Sequence, residues 1–187
     1  MIRILVLALT LCTALAQTSA QTSAQTPITF PAITGENLEG QEFTFPADFG
    51  GDLNLVLIAF SQGQQGQVDT WLSYAEGLEL ESSELSIYEI PVLGSSYRLL
   101  RSVIDGGMRS GIDDPEARAR TITFYGNKPA MMEALALETE RTIHALLVKA
   151  DGEVVWQAQG EAVEDSIAGL EAYLNKASLP ADYKGGL

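Results

Sequence analysis

Residues 53–60 read LNLVLIAF, and residues 61–71 continue SQGQQGQVDTW. The first stretch is a nearly continuous apolar run, the pattern of a strand covered on both faces. The second is a polar, glycine-containing loop leading into a helix, because Val68, Trp71, Leu72, Ala75 and Leu78 then fall on one stripe of a segment from about Gln65 to Leu80. A strand running through a loop into a helix is the junction at which many α/β proteins place a reactive group. Here the loop carries Gln62, Gln64, Gln65 and Gln67, whose amides are neither nucleophiles nor acids.

On the N-terminal side, residues 28–45 read as two short strands around a turn. Gly35, Asn37 and Gly40 supply the turn chemistry, and Phe43 and Phe45 share one face. On the C-terminal side, ELSIYEIPVLG (84–94) is the next strand, which Pro91 is expected to end. Ser95 or Ser96 can cap a third segment in which Tyr97, Leu100, Val103 and Ile104 align and which Gly106-Gly107 should stop. An irregular stretch follows, with Pro115 opening one helical turn. TITFY (121–125) reads as a strand, and NKPAMMEALALE (127–138) as a short helix with Asn127 near its cap. Two β-rich runs then flank Ala150-Asp151-Gly152, a favoured hairpin turn. The final helix is expected over Glu161–Ala177, with Val163, Ile167, Leu170 and Leu174 on one face. A strand-helix-strand unit calls for parallel neighbours joined by a right-handed crossover. The fold class expected is α/β: one sandwich with a mixed central sheet, helices on both faces, an N-terminal hairpin and an irregular mid-chain insert.

The ends add a cellular address. Arg3, the apolar segment Ile4–Ala16 and the small-residue site Ala14-Leu15-Ala16 have the form of a secretory signal peptide over residues 1–16, with cleavage sites as late as Ala24. The repeat QTSAQTSAQT makes residues 17–27 a polar leader. The domain expected then spans 28–177, followed by a tail over 178–187. The only cysteine, Cys12, lies in the signal segment and follows Leu11 rather than the small residue a lipidation site wants. A processed chain therefore has no disulfide, no thiol catalysis and no thiolate metal site. The expected location is the periplasm, with secretion as the alternative. Against 11 Lys+Arg stand 25 Asp+Glu, a formal net charge of −14. Such a surface repels nucleic acid and anionic lipid.

The order of elements and its motifs resemble the thioredoxin-like fold in its redoxin form. FPAITGENLEGQEFTFPADFGGDLNLVLIAF (30–60) looks like the redoxin opening, and LLVKADGEVVWQAQG (146–160) resembles the closing hairpin before the last helix. The resemblance runs from about Thr29 to Leu174. In that family a Cys-x-x-Cys stands at the helix start, where the helix N-terminus stabilises the attacking thiolate. Matching Phe60 to the family's strand-end aromatic puts Gln65 and Val68 at the two cysteine positions. By spacing from Asp151-Gly152, Ile143 stands where the family keeps a cis-proline beside its substrate groove. Both redox hallmarks are absent. A second resemblance, carried by residues 88–125 and 154–174, is to the mitochondrial F-type ATP synthase assembly chaperones. It implies a precedent for a redox-silent relative that binds proteins.

Three functional readings remain open. The first is a protein or peptide partner in the envelope, held in a groove edged by Gln62, Gln64, Gln65, Gln67, Ile143 and His144. Its bland counterpart is a helix entry in which glutamine amides merely satisfy backbone groups. The second is an enzyme using non-thiol chemistry through His144, the single histidine, and the Arg109/Asp113/Asp114 segment. The third is recognition of a small anion by Arg109, Arg118 and Arg120, against the alternative that these arginines anchor the loop by internal ion pairs. No cofactor is expected: the loop has no Gly-x-x-x-x-Gly-Lys-Ser/Thr or Gly-x-Gly-x-x-Gly pattern. A lone histidine does not make a metal site, which needs three or four converging ligands.

Overall fold

A computed structural model describes residues 27–78 and 84–177. Seven strands form one sheet: β1 (Ile33–Asn37), β2 (Glu42–Phe45), β3 (Leu53–Ala59), β4 (Leu85–Gly94), β5 (Ile122–Gly126), β6 (His144–Lys149) and β7 (Val154–Gln159), in the order β2-β1-β5-β4-β3-β6-β7. The helices are α1 (Gln65–Glu76), α2 (Arg101–Gly111), α3 (Pro115–Arg120), α4 (Lys128–Ala134) and α5 (Glu164–Ala177). β3 pairs parallel with β4 and antiparallel with β6, and β4 pairs parallel with β5. β1 pairs antiparallel with both β2 and β5. This is the mixed sheet with an N-terminal hairpin that the sequence implies.

The apolar run of β3 divides by parity. Leu55 and Leu57 join Val68, Trp71 and Leu72 of α1, Ala145 and Leu147 of β6, and Leu170 and Leu174 of α5. Val56 and Ile58 join Phe30, Phe45, Leu146, Val148 and, from α4 and just beyond it, Met131 and Leu135. All four β3 side chains are fully buried. Helices cover both faces of the sheet, and no helix among the described residues is long and apolar enough to cross a membrane. The signal and leader expectations and the C-terminal tail lie outside the described residues, whereas the first helix stops short of Leu80: it ends at Glu76, with its C-cap at Gly77.

Several local expectations change. Pro91 does not end β4. It lies where pairing with β3 stops, at Ala59↔Pro91, and pairing with β5 begins, at Val92↔Phe124, so its missing N–H falls at the hand-over. Gly106-Gly107 does not stop the third segment. A 3-10 turn over Ser95–Leu100 continues into α2 through both glycines to Gly111, and α3 follows, so the insert is more regular than expected. Tyr97, Leu100 and Val103 are exposed rather than buried. At the other end Val163 precedes α5 and is exposed, while Leu170 and Leu174 carry the packing.

The turn before β3 depends on Asn54, which is fully buried. Its Nδ2 donates to the carbonyls of Gly51 (2.9 Å) and Val148 (3.2 Å), and its Oδ1 accepts from Gly51 N (3.1 Å). A Cβ at Gly51 would lie 2.5 Å from the Leu53 carbonyl oxygen, so only glycine fits that approach. Asn54→Ala leaves these buried backbone groups unmet and should lower the unfolding free energy by about 3 kcal/mol, read by urea denaturation followed by circular dichroism. A loss within experimental error would show that water replaces the amide.

Candidate functional site

The β3–α1 loop closes upon itself through its glutamines. Gln64 is buried. Its Oε1 accepts from Phe60 N (2.7 Å), and its Nε2 donates to the Glu140 carbonyl (2.7 Å). Gln67 Oε1 accepts from Thr142 Oγ1 (2.9 Å) and from Ile143 N (3.1 Å). These two amides tie the start of α1 to the segment that enters β6. The Ile143 N–H, which borders the position a substrate groove would occupy, is taken by the protein's own side chain. Gln62 and Gln65 remain exposed. α1 is fixed from behind as well: Trp71 Nε1 donates to the Gly160 carbonyl (2.8 Å), and Ala162 N donates to Thr70 Oγ1 (2.9 Å). Trp156 packs edge-to-face on Trp71 with centroids 5.6 Å apart, under α5, and is not an exposed anchor.

Ile143 and His144 are both buried. His144 Nε2 donates to the Thr139 carbonyl (2.8 Å), which places a proton on Nε2, and its ring packs edge-to-face with Phe60. Beside it a shallow cavity of about 290 Å³ is lined by Ala136, Glu138, His144, Gln157, Ala158 and Gln159. His144 is thus near the glutamine loop. The Arg109/Asp113/Asp114 segment is not: it packs on the β1–β2 hairpin, and β1 is four strand spacings from β6 in the sheet, roughly 19 Å.

The three arginines of the insert are engaged internally. Arg109 Nη2 lies 2.9 Å from Glu39 Oε2, and Arg118 Nε pairs with Glu39 Oε1. Arg118 Nη1 also donates to the carbonyls of Ile112 (2.9 Å) and Asp113 (3.0 Å). Those contacts hold the Glu39 carboxyl below its usual range, with the Arg118 hydrogen bond as the main cause. Arg120 Nε lies 3.2 Å from Glu89 Oε1, and its Nη2 lies 3.8 Å from Glu76. Asp114 caps α3 by accepting from Glu116 N and Ala117 N. Among the described residues no group of three His, Cys, Asp or Glu is placed to hold a metal ion.

Glu89 is the residue that sequence reasoning missed. It is buried in β4, beneath the N-terminal half of α1, and its carboxylate interacts with Arg120, with the Gln65 amide and with the Asp69 charge. Burial pushes its carboxyl above the ordinary value and Asp69 adds to this, against the opposing pull of Arg120 and Gln65. The signal was available: a carboxylate between Tyr88 and Ile90 in a mostly apolar strand. The arrangement puts a buried carboxyl under Gln65, where desolvation and the Arg120 pair act on it in opposite directions.

Two outcomes follow from these contacts. Gln67→Ala should cost about 1–2 kcal/mol and raise amide exchange at Ile143, whereas Gln67→Glu keeps the acceptor and much of the stability; equal loss in both would place the effect elsewhere. Because the folded pKa of Glu89 is raised, the folded state keeps the proton longer, and stability falls as pH rises from the ordinary carboxylate value through the folded one. Glu89→Gln should therefore unfold at higher urea than the parent at pH 7, and the gap should close below about pH 4. A gap that is unchanged at acid pH would contradict this.

No family profile matches the chain, and no curated protein matches it. Solved structures do. The pneumococcal exposed lipoprotein thioredoxin Etrx1 from Streptococcus pneumoniae aligns with a TM-score of 0.54 at 10% identity, over 78% of this chain and 99% of that one. Yeast Sco1, in a structure with copper bound, aligns with a TM-score of 0.54 at 13% identity, over 84% and 99%. A thiol:disulfide interchange protein from Bacteroides sp. aligns with a TM-score of 0.51 at 18% identity, over 87% and 98%. The ATP synthase chaperone resemblance gains no support from these neighbours. Identities this low speak for architecture alone, and the architecture is unambiguous: the chain is built on the thioredoxin-like fold.

Proposed function

We propose that the protein is a thioredoxin-like envelope protein without thiol chemistry that binds another protein, as an assembly or folding factor. The observation that carries this reading is an exposed apolar strip on the β4–α2 connection. Leu99 is 94% exposed and Val103 72%, with Tyr97 and Leu100 about half exposed. Among the described residues, Val163 is the one other large apolar side chain this exposed. An exposed apolar patch in a water-soluble fold marks a surface that is covered in use. Gln65 and buried Val68 at the family's cysteine positions support the absence of disulfide exchange.

The strip also shifts the partner's address. Both amide atoms of Gln64 and the Oε1 of Gln67 are engaged by the chain's own groups, which leaves the exposed Gln62 and Gln65 as the main amides that a groove partner would meet. The Tyr97–Val103 strip offers an apolar partner segment more contact. Precedent for assembly work on this fold comes from BsSco, described as a member of the Sco family of cytochrome c oxidase assembly proteins. Exported neighbours such as the pneumococcal lipoprotein agree with the signal-like N-terminus in favouring the envelope. Neither alternative has an observation behind it: His144 and the Arg109/Asp113/Asp114 segment lie apart, and Arg109, Arg118 and Arg120 already have carboxylate partners.

The test compares tagged parent, Leu99→Glu/Val103→Glu and Gln62→Ala/Gln65→Ala in capture from the native envelope, after equal thermal midpoints confirm folding. A protein enriched by the parent and by the glutamine variant, but reduced at least about tenfold by the charge variant, supports the strip. Retention by the charge variant and loss with the glutamine variant would return the partner to the groove. The same preparations should not reduce insulin disulfides; turnover there would overturn the redox-silent reading.

A further inference from the structure

A second polar cavity lies toward the β2 edge of the sheet, where the connection after β4 crosses the β1–β5 pair. Its volume is about 190 Å³, and Thr34, Gly35, Arg98, Arg101, Thr123 and Tyr125 line it. Thr123 is 1% exposed, and its Oγ1 has no hydrogen-bond partner. A buried hydroxyl left unpaired costs about 1–3 kcal/mol, and such groups are rare enough to need a reason.

The guanidiniums on the same wall are incompletely used. Arg98 Nη2 donates to the Tyr125 carbonyl (2.9 Å). Arg101 Nε donates to Asp105 Oδ2 (3.2 Å), and its carbon centre stands 5.9 Å from the Tyr125 ring centroid. Arg101 Nη2 is 2.8 Å from Glu36 Oε2 but outside hydrogen-bond alignment, so that buried nitrogen has a counter-charge without a hydrogen bond. A guanidinium carries donors in a fixed fork that suits a carboxylate bound through both oxygens.

We infer that this cavity binds a small carboxylate, held by Arg98, Arg101 and the Thr123 hydroxyl. The two carboxylates already present differ in freedom. Asp105 is held by the Tyr125 hydroxyl (2.8 Å) and by Arg101. The Glu36 side chain is 42% exposed, is paired with Arg101 and, among the described residues, with no other cation, and can turn to solvent from β1. With Glu36 displaced, the charges of Arg98, Arg101 and the Arg101-bound Asp105 sum to one positive charge. That charge matches a monocarboxylate better than a doubly charged phosphate. Glu36 is in effect the resident carboxylate that a ligand replaces. The cavity draws Arg98 and Arg101 from the same 97–103 segment whose apolar side chains form the strip, but Leu99 and Val103 face solvent and do not line it, so Glu36→Gln and Thr123→Val test this site without altering the strip.

The test is a ¹⁵N-amide titration of the protein at constant ionic strength with propionate, an N-acetyl dipeptide acid, the same dipeptide amide, and inorganic phosphate. Saturable shifts at Arg98, Arg101 and Thr123 with the acids, and none with the amide, are expected. Equal affinity for propionate and the dipeptide acid identifies a free small acid as ligand; binding of the dipeptide acid alone identifies a peptide C-terminus. Glu36→Gln, which removes the competitor, should tighten binding about five- to tenfold, and Thr123→Val should weaken it by a similar factor. Thr123→Val should also raise the ligand-free thermal midpoint, which separates loss of the site from loss of the fold. No saturable shift with either parent or Glu36→Gln overturns the inference. So does phosphate binding without carboxylate binding, or an affinity unchanged by Thr123→Val.

Discussion

Strand β3 has to be buried on both faces, and most of the molecule is arranged to meet that demand. Leu55 and Leu57 point to one core, Val56 and Ile58 to the other, and all four are fully covered. A strand of this kind cannot lie at an edge, so β4 and β6 must flank it and helices must lie above and below. The parallel partner β4 requires a crossover, which is α1. The loop at the end of β3 is therefore fixed in place by packing before any of its own residues is chosen. Its glutamines occupy a position that the fold provides.

That separation explains how the loop can change its chemistry without loss of architecture. In the redoxin pattern the start of α1 faces the segment entering β6 and leaves a groove between them for a substrate. Here Gln64 and Gln67 span the gap, each bonding backbone groups about 76 residues distant in sequence. A glutamine amide donates and accepts in the same plane, so it can satisfy a carbonyl or an N–H that a bound peptide would otherwise meet. Glu89 fits the same history. Its carboxyl is buried beside Gln65 and paired with Arg120, again a polar group met from within the chain.

The parts of this structure that were legible in the sequence are those governed by period and by special dihedrals. The β3 run, the alternating hairpin halves and Asp151-Gly152, whose glycine has φ of +90°, announce themselves locally. The hairpin turn at Asn37 does too, because its side chain accepts from Glu39 N and Gln41 N within the same few residues. Long-range polar pairing is not local, and so the partners of Gln64, Gln67 and Glu39 could not be named beforehand. Pro91 and Gly106-Gly107 misled for a related reason: both rules describe an isolated segment, whereas strand hand-over spares Pro91 a ladder bond and the Arg101 and Arg109 ion pairs hold α2 on either side of its glycines.

Charge supplies the last link between fold and role. A chain with a formal net charge of −14 has few cations to spend, yet Arg101, Arg109, Arg118 and Arg120 are concentrated in one insert and turned inward onto Glu36, Glu39 and Glu89. Such pairs contribute little at an exposed surface. Their value here is positional. They pin the connection after β4 to the β1–β2 hairpin, while the 3-10 turn and α2 bury none of their own side chains. An insert with no buried side chain in either element has been given an attachment other than a hydrophobic core. Its apolar residues, Leu99 and Val103 above all, are thereby left free to face outward. Under the proposed protein binding, these outward-facing side chains are the ones that a partner would cover, held out by an insert whose attachment does not need them.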